Sequence, residues 1–271
     1  MSGTDDLLKF AESTAAEAGR FLRERLNSKH SVDYKGEINI VTEEDRMSEE
    51  IIKSEIRKRC PGHGILAEET PETGRGAEFR WIIDPLDGTT NYAHGYPVFC
   101  VSLALEKNSS VLLGVIYNPM LEEMFTARAG GGAFLNGKRI CVSSVADLSR
   151  SLLATGFPYD IRTDRFNNLD YFAAMAVKAQ AIRRAGSAAL DLAYTACGRF
   201  DGFWELKLKP WDTAAGCLLL AEAGGKITDL DGNEHRMDSA HIVASNGMIH
   251  DQMLRALGET EGSRRPRTSD F

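Results

Sequence analysis

Asp84 and Asp87 stand three positions apart, where the apolar run Trp81-Ile82-Ile83 gives way to Pro85, Gly88, Thr89 and Thr90. The run reads as a buried strand, so the Asp84 carboxylate lies at a sheet edge rather than in open water. The Asp84-Pro85 bond favours extended or turn geometry at Asp84, and Gly88 lets the backbone approach a ligand closely. A helix starting after Gly88-Thr89 would turn free amides toward an anion beside the two carboxylates. Carboxylates and a phosphate repel one another unless cations lie between them. Magnesium takes carboxylates, carbonyls, water and phosphate oxygens as ligands, so these residue types point to a metal-bridged phosphate.

Three further acidic segments fall where a strand or loop meets a helix. They are Val41-Thr42-Glu43-Glu44-Asp45, Leu66-Ala67-Glu68-Glu69-Thr70 and Lys209-Pro210-Trp211-Asp212-Thr213. Each has an ordinary explanation when taken alone. Thr42 and Asp45 have capping-box spacing, Asp212 suits a helix N-cap, and Glu68-Glu69-Thr70-Pro71 suits a solvated turn. Gly132 to Lys138 has the outline of a phosphate-binding loop, but Arg139 replaces the Ser or Thr that would ligate magnesium, and the context is a hairpin. The six histidines and five cysteines show no zinc spacing, which leaves oxygen-ligated cations in play.

The elements that must position these residues follow from periodicity. Helical spacing runs from Thr4 to Leu26 and again from about Thr42 to Lys58. The polar segment Asp33 to Glu37 between them reads as a mobile loop. Strands are predicted at Gly64–Ala67, Phe79–Ile83, Val98–Leu105, Val111–Tyr117 and Glu123–Ala127, with short connections that suggest antiparallel pairing. Leu135-Asn136-Gly137-Lys138 reads as a tight hairpin turn. Helices follow at Arg165–Ala179, Ser187–Cys197 and Thr213–Ala223, interleaved with strands at Leu152–Thr155, Ala181–Arg184, Gly202–Glu205 and His241–Ala244. The tail from Gly258 has no apolar periodicity and reads as disordered.

Composition bounds the rest. A chain of 271 residues, 43% hydrophobic and 26% charged, can bury a substantial core as a soluble globular protein. The net charge of -7 argues against a general nucleic-acid binder. The five cysteines are scattered and form no CxxC pair, as reduced thiols in a cytoplasmic protein would be. Asp5 and Asp6 occupy ground where a signal peptide would be positively charged, and no apolar run reaches transmembrane length, so no membrane role is expected.

The motifs together resemble a known family. WIIDPLDGTTNYAHGYPVFCVSLAL is similar to the first signature of the inositol monophosphatase family, and KPWDTAAGCLLLAEAGG to the second. VTEED and LAEET fall in that family's order, and the likeness runs from about residue 5 to 255. It implies an α+β fold, a layered αβαβα sandwich, usually homodimeric. An N-terminal α+β half (1–145) would carry most metal ligands. A C-terminal α/β half (146–258) would carry Asp212 and the substrate contacts, followed by a disordered tail (259–271).

The resemblance also implies roles. Glu68, Asp84, the Leu86 carbonyl, Asp87 and Asp212 would hold two or three Mg²⁺ ions. Asp45, Glu68 and Thr89 would be catalytic, Thr89 with Asp45 orienting or deprotonating the attacking water. Gly88 and Thr89 would cradle phosphate, while Gly186, Ser187, Ala188, Glu205 and Asp212 would meet the alcohol. The implied reaction is hydrolysis of a small polyol or sugar phosphate, first of all inositol-1-phosphate, and many relatives are lithium-sensitive. DGTTNY in place of DGTKEF argues against the nucleotide 3'-phosphatases of the superfamily. Fructose-1,6-bisphosphatase or histidinol-phosphatase activity on the same metals is the nearer alternative. A regulatory or binding protein using the fold is the alternative of another class.

Overall fold

A computed structural model describes residues 2–28, 31–239 and 241–260. Helices α1 (Ser2–Arg25) and α2 (Glu43–Arg59) come first. The segment between them is not a plain loop. Strands β1 (Val32–Tyr34) and β2 (Ile40–Thr42) pair antiparallel and hold Lys35 at the hairpin's turn. All three β1 residues are exposed, so no apolar alternation announced that strand.

A seven-stranded sheet follows in chain order: β3 (Gly64–Ala67), β4 (Phe79–Asp87), β5 (Cys100–Lys107), β6 (Ser110–Asn118), β7 (Glu123–Arg128), β8 (Gly132–Leu135) and β9 (Lys138–Ile140). A short helix, α3 (Thr89–Ala93), lies between β4 and β5. Pairing is antiparallel from β4 to β9, whereas β3 runs parallel to β4. A parallel neighbour needs a crossover, and residues 68–78 provide it; that crossover carries Glu68.

The second half has β10 (Leu152–Thr155), α4 (Leu169–Ala176), β11 (Ala181–Arg183), α5 (Ala188–Ala196), β12 (Gly202–Leu206), α6 (Pro210–Glu222), β13 (Lys226–Thr228), β14 (His241–Ser245) and α7 (His250–Gly258). Its five strands are ordered β11-β10-β12-β14-β13. Helix α4 covers less than the predicted Arg165–Ala179, and β13 and α7 had not been predicted. Helix α7 ends at Gly258, and the expected disordered tail lies outside the described residues from 261 onward.

Strand alternation builds the layers, because successive side chains point to opposite faces. Trp81 and Ile83 face α1 and α2, packing with Ala11, Ala15, Ala18, Leu22, Ile52 and Ile56. Ile82 faces the other way, into a core shared with α5 and α6. Phe203, Ile242 and Ala244 of the second sheet close that central core from the far side. Trp204 and Val243 point outward onto Met175 of α4 and Met253 of α7. The order is helices, sheet, helices, sheet, helices, the αβαβα sandwich that was expected.

Candidate active site

Strand β4 runs beyond Ile83 through a bulge. Asp84 pairs with Ser102 and Asp87 with Cys100, so one extra residue is accommodated in β4. Pro85 has no N–H to lose there. The Ser48 hydroxyl donates to the Pro85 carbonyl at 2.8 Å, and the Leu86 amide donates to Asp84 Oδ1 at 3.0 Å. Across the bulge Asp84, Leu86 and Asp87 all line one cavity. Gly88 then takes φ 101° and opens α3. A Cβ at Gly88 would lie 2.8 Å from the Val98 carbonyl, so this turn requires glycine. Helix α3 has only five residues, so any anion site here rests on the loop amides more than on a helix dipole.

The other acids arrive from separate elements. Glu68 leaves the end of β3, and the next residues are tied down by buried Glu49 of α2. Glu49 accepts from the Glu69 amide at 2.8 Å and from the Thr70 hydroxyl at 2.5 Å. Asp212, at the third position of α6, accepts from the Lys209 amide at 2.6 Å. The N-cap is therefore Lys209, not Asp212. Asp87 Oδ2 accepts from the Ser187 hydroxyl at 2.6 Å and the Ala189 amide at 2.7 Å, which fixes the start of α5 beside β4.

Burial, and then mutual repulsion, hold Asp84 well above the usual carboxylate range. Burial also raises Asp87 and Asp212, and lifts Glu68 to about 7 against the pull of Lys35. Lys35 Nζ lies 3.1 Å from Glu68 Oε1 and 2.5 Å from Glu69 Oε1. Among the described residues, no group of three His, Cys, Asp or Glu side chains converges as a finished ligand set. The donor chemistry nevertheless suits a hard cation: buried carboxylates that gain by neutralisation, a backbone carbonyl and no competing soft ligand cluster.

Behind the cavity wall, Asp45 is fully buried. Its Oδ2 accepts from the Thr42 amide at 2.7 Å and the Thr42 hydroxyl at 2.5 Å, completing the capping box of α2. Its Oδ1 accepts from the Thr89 hydroxyl at 2.8 Å. Asp45 is thus both a helix cap and the partner of a cavity-lining hydroxyl. Burial raises its pKa, which makes it the stronger base.

A single cavity of about 700 Å³ gathers Glu68, Asp84, Leu86, Asp87, Gly88, Thr89, Gly186, Ser187, Ala188, Glu205 and Asp212. Of the residues singled out from sequence, only Asp45 stands outside its lining. Glu205, at the end of β12, has its carboxyl pushed up to about 8 by burial and by Asp87. Several contributors escaped the sequence reading. Asn91 Nδ2 donates to the Val98 and Ala185 carbonyls at 2.7 and 2.8 Å, suspending the Gly186 turn from α3. Tyr159, Arg184, Lys207 and Lys209 also line the cavity. Arg162 bonds Glu37 at 2.8 Å, linking the 160s loop to the β1–β2 hairpin. These residues act largely through contacts between distant segments, though Asn91, inside the DGTTNY stretch, and Lys209, at the head of KPWDTAAG, carried a local hint.

Comparison with known proteins identifies the family. The family model described as "Inositol monophosphatase family" matches residues 4–261. The chain is 42% identical to the inositol-1-monophosphatase of Mesorhizobium japonicum over 93% of its length and 96% of that protein. It is 44% identical to the Nus factor SuhB of Pseudomonas aeruginosa, over 86% of the chain and 85% of the relative. The solved inositol monophosphatase of Anabaena superposes with a TM-score of 0.87 at 43% identity, covering 98% and 99% of the two chains.

Proposed function

The chain belongs to the inositol monophosphatase family and is an enzyme of the phosphoric monoester hydrolase class, and from that premise we propose that it hydrolyses inositol-1-phosphate to myo-inositol and phosphate with magnesium as cofactor. The observation that carries the reading is the convergence of Glu68, Asp84, Asp87 and Asp212 on one cavity beside the Thr89–Asp45 hydrogen bond. Glu68, Asp84, the Leu86 carbonyl, Asp87 and Asp212 are the oxygens that would hold two or three ions. Magnesium bound there supplies charge neutralisation for the phosphate and the leaving alcohol and acidifies the attacking water.

The remaining steps belong to the chain's own groups. Thr89 directs its proton to Asp45, which leaves its hydroxyl lone pairs to accept a proton from the attacking water. Gly88 and Thr89 would offer backbone amides to the phosphate, in the loop the Gly88 φ angle creates. Ser187 and Asp87 hold the start of α5 against the bulge, so Gly186 and Ala188 line the side where the alcohol sits. Glu205 offers its carboxyl to an alcohol hydroxyl. Lys35 occupies Glu68 from the β1–β2 hairpin and would release it as a cation is taken up. Homodimerisation, a cytoplasmic location and lithium sensitivity belong to the same reading.

A second reading has one specific support, the resemblance to relatives named Nus factor SuhB. A regulatory protein using the fold has no need of the acidic residues, and Asp45, Glu68, Asp84, Asp87, Thr89 and Asp212 are all present. Catalysis is therefore the first function, with regulation at most beside it. The test is phosphate release from inositol-1-phosphate, fructose-1,6-bisphosphate and histidinol phosphate, with and without Mg²⁺. The fastest magnesium-dependent turnover is expected on inositol-1-phosphate. Faster turnover on either competitor would reassign the substrate, and no release from any would remove the catalytic reading.

A further inference from the structure

Gly156 follows strand β10 and lines the cavity opposite the carboxylates of β4. Its backbone does not need glycine's conformational freedom, since it is absent from the positive-φ positions of the chain. Its neighbour requires it instead. A Cβ added at Gly156 would stand 2.1 Å from Glu205 Oε1, 2.3 Å from Cδ and 2.4 Å from Oε2. The whole Glu205 carboxyl rests on the face of Gly156 that any other residue would fill.

The seat itself is held rigidly. The Gly156 carbonyl accepts from Asn168 Nδ2 at 2.5 Å, and Asn168 Nδ2 also donates to the Thr155 hydroxyl at 2.9 Å. Asn168 Oδ1 accepts from Trp204 Nε1 at 2.7 Å, next to Glu205 in the chain, and the Thr155 hydroxyl donates to the Trp204 carbonyl at 2.6 Å. Buried Asn168 thus clamps the end of β10 to the end of β12, fixing Gly156 relative to Glu205. The Asn168 bonds run to Gly156, Thr155 and Trp204, away from the carboxylates proposed as cation ligands.

We infer that Gly156 is a specificity-determining positioning residue, which sets the depth at which the Glu205 carboxyl meets the alcohol of the substrate. The inference rests on the proposed reading of Glu205 as an acceptor for an alcohol hydroxyl. The three atoms nearest a methyl group at position 156 all belong to the far end of a flexible side chain, so the chain should still fold with Glu205 giving way. To reach an ordinary 3.4 Å contact the nearest oxygen must withdraw by about 1.3 Å. A displacement of that size breaks a hydrogen bond to substrate, and a misplacement of about 1 Å in a site costs up to about 100-fold.

The test compares two substrates in four proteins: wild type, Gly156→Ala, Glu205→Ala and the double variant. Inositol-1-phosphate offers hydroxyls to Glu205, whereas the leaving group of 4-nitrophenyl phosphate offers none. In Gly156→Ala the ratio of kcat/KM for inositol-1-phosphate to that for 4-nitrophenyl phosphate should fall tenfold or more, mainly through KM. In the Glu205→Ala background the same glycine change should move the ratio less than twofold, since the group it displaces is gone. An unchanged ratio in Gly156→Ala, or an equal loss in both backgrounds, would overturn the inference while leaving the phosphatase reading intact. A wild type that releases no phosphate from inositol-1-phosphate would remove the reading beneath it.

Discussion

Asp45→Asn separates two roles that one buried side chain performs. Substitution by the isosteric amide keeps shape and volume and replaces one carboxylate oxygen by NH₂. The oxygen that remains will face Thr42, where it has two donors, the amide at 2.7 Å and the hydroxyl at 2.5 Å. The new NH₂ then faces Thr89 Oγ1 at the 2.8 Å position. Thr89 must accept from it and turn its own proton to the Leu86 carbonyl, 3.1 Å away. One of the two hydroxyl lone pairs is consumed, and the carboxylate that would take the proton relayed through Thr89 is gone. Loss of a positioned general base costs about 10² to 10⁴ in rate, or about 2.7 kcal/mol of barrier and upward. The folded state loses less. The cap survives, and removing a buried charge offsets part of the weakened hydrogen bonds, leaving a net cost on the order of 1 kcal/mol. For a chain of this size that is about 2–4 °C in Tm. Phosphate release per folded molecule, measured beside a thermal melt, reads both numbers at once. Turnover within threefold of wild type together with a Tm lowered by about 10 °C would show that Asp45 is a helix cap and nothing more.

Asp84→Asn and Asp212→Asn should each abolish turnover and leave the fold intact; near-wild-type phosphate release by either would remove these residues from the cation site. Wild type should also gain about 2.7 kcal/mol of stability at a magnesium concentration 100 times its Kd, and a magnesium-dependent rise in Tm that persists undiminished in Asp84→Asn would count against the same assignment. His250, fully buried between the Thr228 and Ser245 hydroxyls, has its pKa lowered to about 4 by burial, with Lys226 adding to the effect. The unfolded chain binds this proton near pH 6.5 and the folded chain does not, so stability is complete above about 6.5 and falls as the pH drops toward 4, by about 3 kcal/mol at most. Urea denaturation across that window should show this loss, and His250→Gln should flatten it; an equally steep fall in the variant would place the titrating group elsewhere.

Long periodic elements were legible in the sequence, as were many of the residues that line the cavity. Helix α1 repeats Ala11, Ala15, Ala18 and Leu22 along one face, and β5 and β6 alternate between two cores, so one-dimensional spacing carries their structure. The helix after Gly88 was legible because Pro85 constrains the chain before it and glycine permits the sharp turn that opens it. Short elements were harder to see. Strand β1 has three exposed residues, and α7 compresses Met253, Ala256 and Leu257 into nine positions beside the polar tail. The parallel pairing of β3 was hidden because short connections usually return antiparallel. Asp45 could not be resolved into cap or catalyst from spacing, since the same three-residue interval serves both. Glu49 and Gly156 were invisible because their work lies in contacts across 20 and 49 residues.

Asp87 faces inward and outward at once: its Oδ2 stitches β4 to the first turn of α5 at 2.6 and 2.7 Å while the side chain lines the cavity. Any shift of α5 against the sheet is therefore felt where the cation would lie. Helix α5 is itself seated by Leu190, Leu192 and Ala193 in the central core, against Leu219 and Leu220 of α6. The interior and the reaction site thus cannot drift independently. Repacking of this core is filtered by chemistry as well as by stability, and its tolerated sequences form a smaller set than packing volume alone would permit.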